Sequence, residues 1–172
     1  MQDLYFGAES WSFEAGHWLK SSPESVADCA LRRIEQKDAL VWLYKDDEEI
    51  IGFGSLGPSR WAVPDENGMR RPVTVIPWMA IQERFRRCLP GVPKDQRYSS
   101  LILDDLIDEA CEWVEEKPYL CLFVHPDNIG AIHLYERHNF ARLQKPYVDP
   151  ETGVAYLRMF TRLQISDGLA VE

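Results

Sequence analysis

Residues 119–124, YLCLFV, are six apolar side chains in succession, and this run restricts the fold more than any other stretch of the chain. It is far short of the roughly 20 residues that a membrane-spanning helix needs, so it reads as a buried strand. What flanks it says what covers it. Upstream, SSLILDDLIDEACEWVEE (residues 99–116) sets Leu103, Ile107, Ala110 and Val114 at helical spacing. Ser99 or Ser100 can cap that helix, and Asp104 and Asp105 lie in its first turns. Downstream, residues 125–140 read as a second helix, followed by strands ARLQKPYV and GVAYLRMFTRL around the turn DPETG. Strand, helix, strand, helix, strand in that order gives a mixed α/β sheet with helices packed on it.

The first half of the chain supplies the remaining strands. Val26, Ala30 and Ile34 predict a helix over 24–36, and ALVWLY and EIIGFGSL flank the polar turn KDDE as a hairpin. GPSRWAVPDENGMRR (57–71) reads as a loop and PVTVIPWMAI (72–81) as a strand. Pro77 cannot donate to a ladder, so something interrupts pairing there. Residues 82–98 form an irregular segment in which Arg84, Arg86, Arg87, Lys94 and Arg97 outnumber Glu83 and Asp95.

With no repeat or low-complexity stretch, residues 1–172 are expected to form a single domain. The net charge of −9 argues against general nucleic-acid binding, whose affinity comes mainly from phosphate neutralisation. Cys29, Cys88, Cys111 and Cys121 have neither C-x-x-C pairing nor a histidine at ligand spacing, so neither a metal site nor a disulfide scaffold is expected. The first residues lack a basic and then apolar leader, so a cytoplasmic protein without membrane attachment is expected, and a homodimer is compatible with this composition.

The stretch HPDNIGAIHLYERHNF then gives a more specific reading. Asn128, Ala131, Tyr135 and Phe140 stand in the register of the helix motif of the GCN5-related N-acetyltransferases (GNATs), which this chain resembles from about residue 24 to residue 163. The first twenty residues lie outside the resemblance. Asn139 stands where that motif usually has glycine, and asparagine is the next best residue at a left-handed helix end. The resemblance implies a single-domain α/β (α+β) fold: a mixed, mostly antiparallel central sheet with helices on both faces and a splay between its fourth and fifth strands. It also implies an enzyme moving an acetyl group from acetyl-CoA to a primary amine, on a small molecule or a peptide, with no metal. Residues 94–99, KDQRYS, occupy the place of the family's phosphate-binding loop but contain no glycine. There Gln96, Arg97, Tyr98, Ser99 and Ser100 would meet the pyrophosphate through backbone N–H groups, hydroxyls and a guanidinium at a helix start.

By the same resemblance, exposed backbone at Met79, Ala80 and Ile81 and the side chain of Asn128 would hold the pantetheine arm, and the Tyr135 hydroxyl would protonate the departing thiolate. On helical spacing alone Tyr135 is equally a core aromatic beside Ile132. Two residues are candidates for the base: His125, which can instead cap the turn before Pro126, and Glu83, which can instead be a solvated surface charge. A water chain would need neither. Trp11, Trp18, Trp61 and Tyr147, with Glu14, Asp65, Glu66 and Asp149, are candidates for receiving the amine. The missing glycines keep open a coenzyme A-binding regulatory or inactive relative, and a plain α/β interaction module is the third reading.

Overall fold

The computed structural model describes residues 39–46, 49–86, 92–150 and 153–164. The helix expected over 24–36, the candidates Trp11, Glu14 and Trp18, and Cys29, Arg87 and Cys88 lie outside them. Strands β1 (Leu40–Asp46) and β2 (Glu49–Pro64) pair antiparallel from Leu40↔Leu56 to Asp46↔Glu49, the hairpin that the KDDE turn implied. β3 (Arg70–Ile76) returns along β2, so 57–71 is not the loop that its Gly and Pro content suggested. The tight turn is confined to 65–69, where Asp65 Oδ1 accepts the N–H groups of Asn67 and Met69 at 2.9 Å each and Gly68 takes φ 75°. Asp65 Oδ2 also accepts from Arg71 Nε at 2.9 Å.

These bonds, chiefly the one from Arg71, hold the Asp65 carboxyl below its ordinary range. A depressed folded-state pKa contributes stability that is present above the unfolded value and is lost as pH falls through the folded one. Asp65→Asn is therefore expected to change the melting temperature least at the acid end of a melting series from about pH 7 to about pH 2.

After a break at residues 77–78, β4 (Met79–Ile81) also pairs with β2. β5 (Tyr119–Val124) matches YLCLFV residue for residue. It runs parallel to β3 and antiparallel to β8 (Ala155–Arg162). ARLQKPYV is not one strand but two pieces, β6 (Ala141–Arg142) and β7 (Tyr147–Val148), both on β8. Pro146, with no N–H to donate, stands just before the second piece. The sheet order is β1-β2-β3-β5-β8-β6, antiparallel except at β3–β5.

The helices are the short α1 (Glu83–Arg86), then α2 (Tyr98–Cys111) and α3 (Ile129–Arg137). Residues 112–116 continue α2 only as tighter turns, such as Val114 N–H to Cys111 C=O at 3.1 Å. Leu120, Leu122 and Val124 of β5 join Leu103 and Leu106 of α2 and Ile132, Leu134 and Tyr135 of α3 in the larger core. The alternate residues Tyr119 and Cys121 join Val63, Val73 and Val75 on the opposite face. α2 lies close on β2 because residue 54 is glycine, where a Cβ would come within 2.7 Å of the Leu106 side chain. Among the described residues no helix is long and apolar enough to cross a membrane.

Candidate acyl-transfer site

The break at Pro77 opens the sheet. β3 is bonded to β5 as far as Ile76↔Leu122, but among the described residues β4 pairs only with β2, leaving Phe123 and Val124 of β5 without a strand partner on that side. Ser55, fully buried, holds the break in shape. Its backbone N–H donates to Trp78 C=O at 3.0 Å, while its hydroxyl accepts from Trp78 N–H at 3.1 Å and donates to the same carbonyl at 3.0 Å. Gln82 N–H donates to Ile51 C=O at 2.8 Å, so the bonded pairs on this ladder are 51–82 and 55–78. Alternation then turns the peptide groups of Ala80 toward Phe53 and those of Met79 and Ile81 away from β2, toward the gap. Of the three residues expected to offer free backbone, Ala80 is therefore corrected: its polar groups belong to the ladder. Ile81 C=O already accepts from Arg86 Nε at 2.7 Å.

The expected phosphate loop is a 3-10 turn at Lys94–Gln96 running into α2, with Arg97 as the residue before the first helical turn. The first N–H groups of a helix have no carbonyl within it, and here they belong to Tyr98 and Ser99. Arg97 Nε is buried and, among the described residues, has no partner. An unsatisfied guanidinium N–H at a helix start fits an anion. Ser100 does not serve as expected: it is fully buried and its hydroxyl donates to Lys94 C=O at 2.8 Å, so it shapes the turn. The Tyr98 hydroxyl likewise donates to Asp46 across the fold, and Gln96 is exposed in the 3-10 turn. Arg84 is paired with Glu49 at 3.2 Å. Between this loop and α3 lies an open cleft of about 340 Å³ lined by Lys94, His133, Glu136 and Arg137. The Glu136 carboxylate there is matched by Arg142.

Asn128 caps α3, its Oδ1 accepting from Ala131 N–H at 3.3 Å, which leaves the amide NH₂ as the donating end. Asn139 does take the left-handed conformation, with φ 63°. Tyr135 lies among the core residues, its ring 5.8 Å from that of Phe140, and burial pushes its phenol up to about 12. His125 Nδ1 accepts Asp127 N–H at 3.2 Å, and His125 C=O accepts Asn128 N–H at 2.9 Å. In the neutral ring that bond puts the proton on Nε2. Glu83 opens α1 directly after β4.

On the sheet face opposite α2 and α3, Trp61 and Tyr147 do come together, 5.3 Å between ring centroids, with Phe123 5.7 Å from Trp61. Asp65 and Glu66 do not join them. They occupy the β2–β3 turn beyond the N-terminal end of β5, bonded to Arg71 and Arg162, whereas His125 follows its C-terminal end. Six strand residues separate the two ends by roughly 20 Å. Asp149 sits in the β7–β8 turn, its carbonyl accepting from Gly153 N–H at 2.8 Å. The sequence reading missed Ser55, because a lone serine in a strand carries no pattern. It also missed a bulge in β2: the register passes from Pro58↔Thr74 to Ala62↔Pro72, so residues 59–61 stand against Val73 alone. That bulge, held by Trp61 N–H on Ser59 Oγ at 3.0 Å, carries Trp61 onto the aromatic face.

No family model matches the sequence, and no curated relative does. Solved structures do resemble it. An Elizabethkingia anophelis GNAT-family acetyltransferase with acetyl-CoA bound is 18% identical, with 78% of this chain and 82% of that one covered at a TM-score of 0.54. Arabidopsis thaliana NAA60 with a bisubstrate analogue is 14% identical, covering 83% and 86% at 0.56. A Brucella melitensis ribosomal-protein-alanine N-acetyltransferase is 19% identical, covering 78% and 75% at 0.53. With its interrupted fourth strand, its parallel β3–β5 pair and these neighbours, the protein has the fold of the GNAT acetyltransferases.

Proposed function

We propose that this protein is an N-acetyltransferase that moves the acetyl group of acetyl-CoA to a primary amine. The observation that carries this reading is the outward edge of β4, where Met79 and Ile81 aim peptide N–H groups into a gap facing β5. An extended amide-bearing arm can lie there as if it were a strand. The solved relatives with acetyl-CoA or a bisubstrate analogue bound lend the reading weight.

The thioester supplies an activated acetyl group, and the chain supplies everything else. The Met79 and Ile81 edge and the Asn128 amide would fix the arm. Arg97 and the Ser99 amide at the start of α2 would hold the pyrophosphate, and the Lys94 and Arg137 cleft would lie along the nucleotide end. Tyr135 would donate to the sulfur as it leaves. On the base side, His125 Nδ1 is already used as an acceptor and Nε2 of the neutral ring carries the proton, so this arrangement of the imidazole has no open lone pair to take the amine proton. Glu83, or water beside it, would take the amine proton. Thiol release from acetyl-CoA across a panel of primary amines tests the proposal. Binding of acetyl-CoA with no release for any amine would make the protein a coenzyme A-binding relative without catalysis.

Arg97→Met gives a sharper test of the phosphate site. The buried, unpartnered Nε costs the free protein desolvation, so its removal should leave the melting temperature without ligand unchanged or raised. Acetyl-CoA affinity, measured by calorimetry, should fall about 10–100-fold, and more at low salt than at high, because the lost contact is charged. A variant that melts lower but binds acetyl-CoA normally would place Arg97 in the scaffold.

A further inference from the structure

We infer that the acceptor amine also carries a carboxylate and a flat apolar body, the chemistry of a free aromatic α-amino acid, and that Arg158 reads the carboxylate. This inference rests on the acetyl-transfer reading for what happens next, but its recognition step stands on geometry alone. Arg158 lies on β8 directly opposite Phe123, in the same register that brings Phe123 to the end of β5 beside the gap. Its guanidinium stacks over Trp61, 5.4 Å from the ring centroid. Nε donates to Lys145 C=O at 2.8 Å, which fixes the plane of the fork. Both terminal nitrogens are left as donors, and among the described residues no carboxylate is paired with them. An arginine held over a ring, with its outer N–H pair uncommitted among the described residues, is shaped for a bidentate carboxylate.

The surroundings suit the rest of such a molecule. Trp61, Phe123 and Tyr147 form one aromatic surface, with centroids 5.2–5.7 Å apart, and Trp61 remains 37% exposed. Tyr147 leads to Tyr156, opposite it in register, and Tyr156 meets His125 edge-on at 6.0 Å. Arg158 and Tyr156 share a strand face two residues apart, about 7 Å along β8, so the Tyr156 and His125 edge borders the side of the site next to the carboxylate and its neighbouring amine, with the ring on Trp61. A peptide N-terminus, whose adjacent carbonyl is an amide, offers Arg158 no charge.

Calorimetric titration of the full-length protein with phenylalanine, phenethylamine and phenylalaninamide tests this. These three share ring and amine and differ only in the carboxylate. Phenylalanine is expected to bind at least about tenfold more tightly than either of the others, the scale of one charge-assisted pair. In Arg158→Gln that preference should shrink to within about twofold, while Arg158→Lys should keep part of it, since charge remains but the fork does not. Equal or weaker binding of phenylalanine by the unaltered protein, or no binding of any of the three, overturns the proposal without need of a variant. Carboxylate-dependent binding with no thiol released from acetyl-CoA would uphold this site and remove the acetyl-transfer reading instead.

Discussion

Tyr135→Phe is expected to lower turnover with acetyl-CoA and a good amine by about 10²-fold, the lower end of the range for a positioned general acid. The magnitude follows from the burial of the phenol. A thiol ionises near pH 8.5, and the buried phenol is pushed up to about 12, so complete proton transfer to a free thiolate would be uphill by roughly 5 kcal/mol. Tyr135 is thus better suited to a strong hydrogen bond that grows as charge develops on sulfur, and bonds to charged groups contribute about 1.5–3 kcal/mol. The loss should appear equally in kcat and kcat/KM, because the bond strengthens only in the transition state. Acetyl-CoA affinity should hold, since the ring still packs on Phe140. A group titrating near 12 cannot shape a rate profile below about pH 10, so wild type and variant should give parallel curves there. A variant retaining more than half the wild-type rate, with chemistry limiting, would leave Tyr135 as a core aromatic and water as the proton source.

Much of this arrangement was legible before any coordinates, wherever a residue has one dominant physical reason to be where it is. YLCLFV is apolar on both faces and proved to be the strand between β3 and β8. Pro77 lacks a donor and marks the break in the ladder, and Asn139 tolerates the left-handed region and closes α3. Legibility failed where the signal was composite. Gly57, Pro58 and Pro64 punctuate 57–71 like a loop, yet the stretch pairs with β3 by way of a bulge, which absorbs the residues that do not fit a ladder. The sequence shows a basic excess around 84–97 and singles out Arg97 at the helix start; in the fold Arg84 faces Glu49 and Arg86 faces Ile81 C=O. Among the described basic residues only Arg97 has a buried, unanswered N–H. Which cation is available depends on which neighbours fold back onto it, and sequence spacing does not carry that information.

Ser55→Ala should show how far the site depends on the break in the sheet. The substitution fits the space but removes the hydroxyl that accepts the partly buried Trp78 N–H. Leaving such a group without its bond costs about 1–3 kcal/mol, and each kilocalorie lowers the melting temperature of a protein this size by about 2–4 °C. The loss should not stop at stability. Without the hydroxyl clamp, Trp78 keeps the Ser55 N–H on its carbonyl but loses the hydroxyl's bonds to its N–H and C=O, and the neighbouring Met79 edge is held less firmly in its aim into the gap. Acetyl-CoA affinity should therefore fall by about tenfold or more, measured well below the variant's melting temperature. Ser55→Thr, which keeps the hydroxyl but adds a methyl where residue 55 has no free surface, should destabilise through crowding. Whatever fraction of Ser55→Thr remains folded should bind acetyl-CoA better than Ser55→Ala does. If Ser55→Ala melts lower but binds acetyl-CoA as the wild type does, the bent backbone is held by Pro77 and the Ser55–Trp78 peptide bond pair alone, and the serine hydroxyl serves stability without aiming the site.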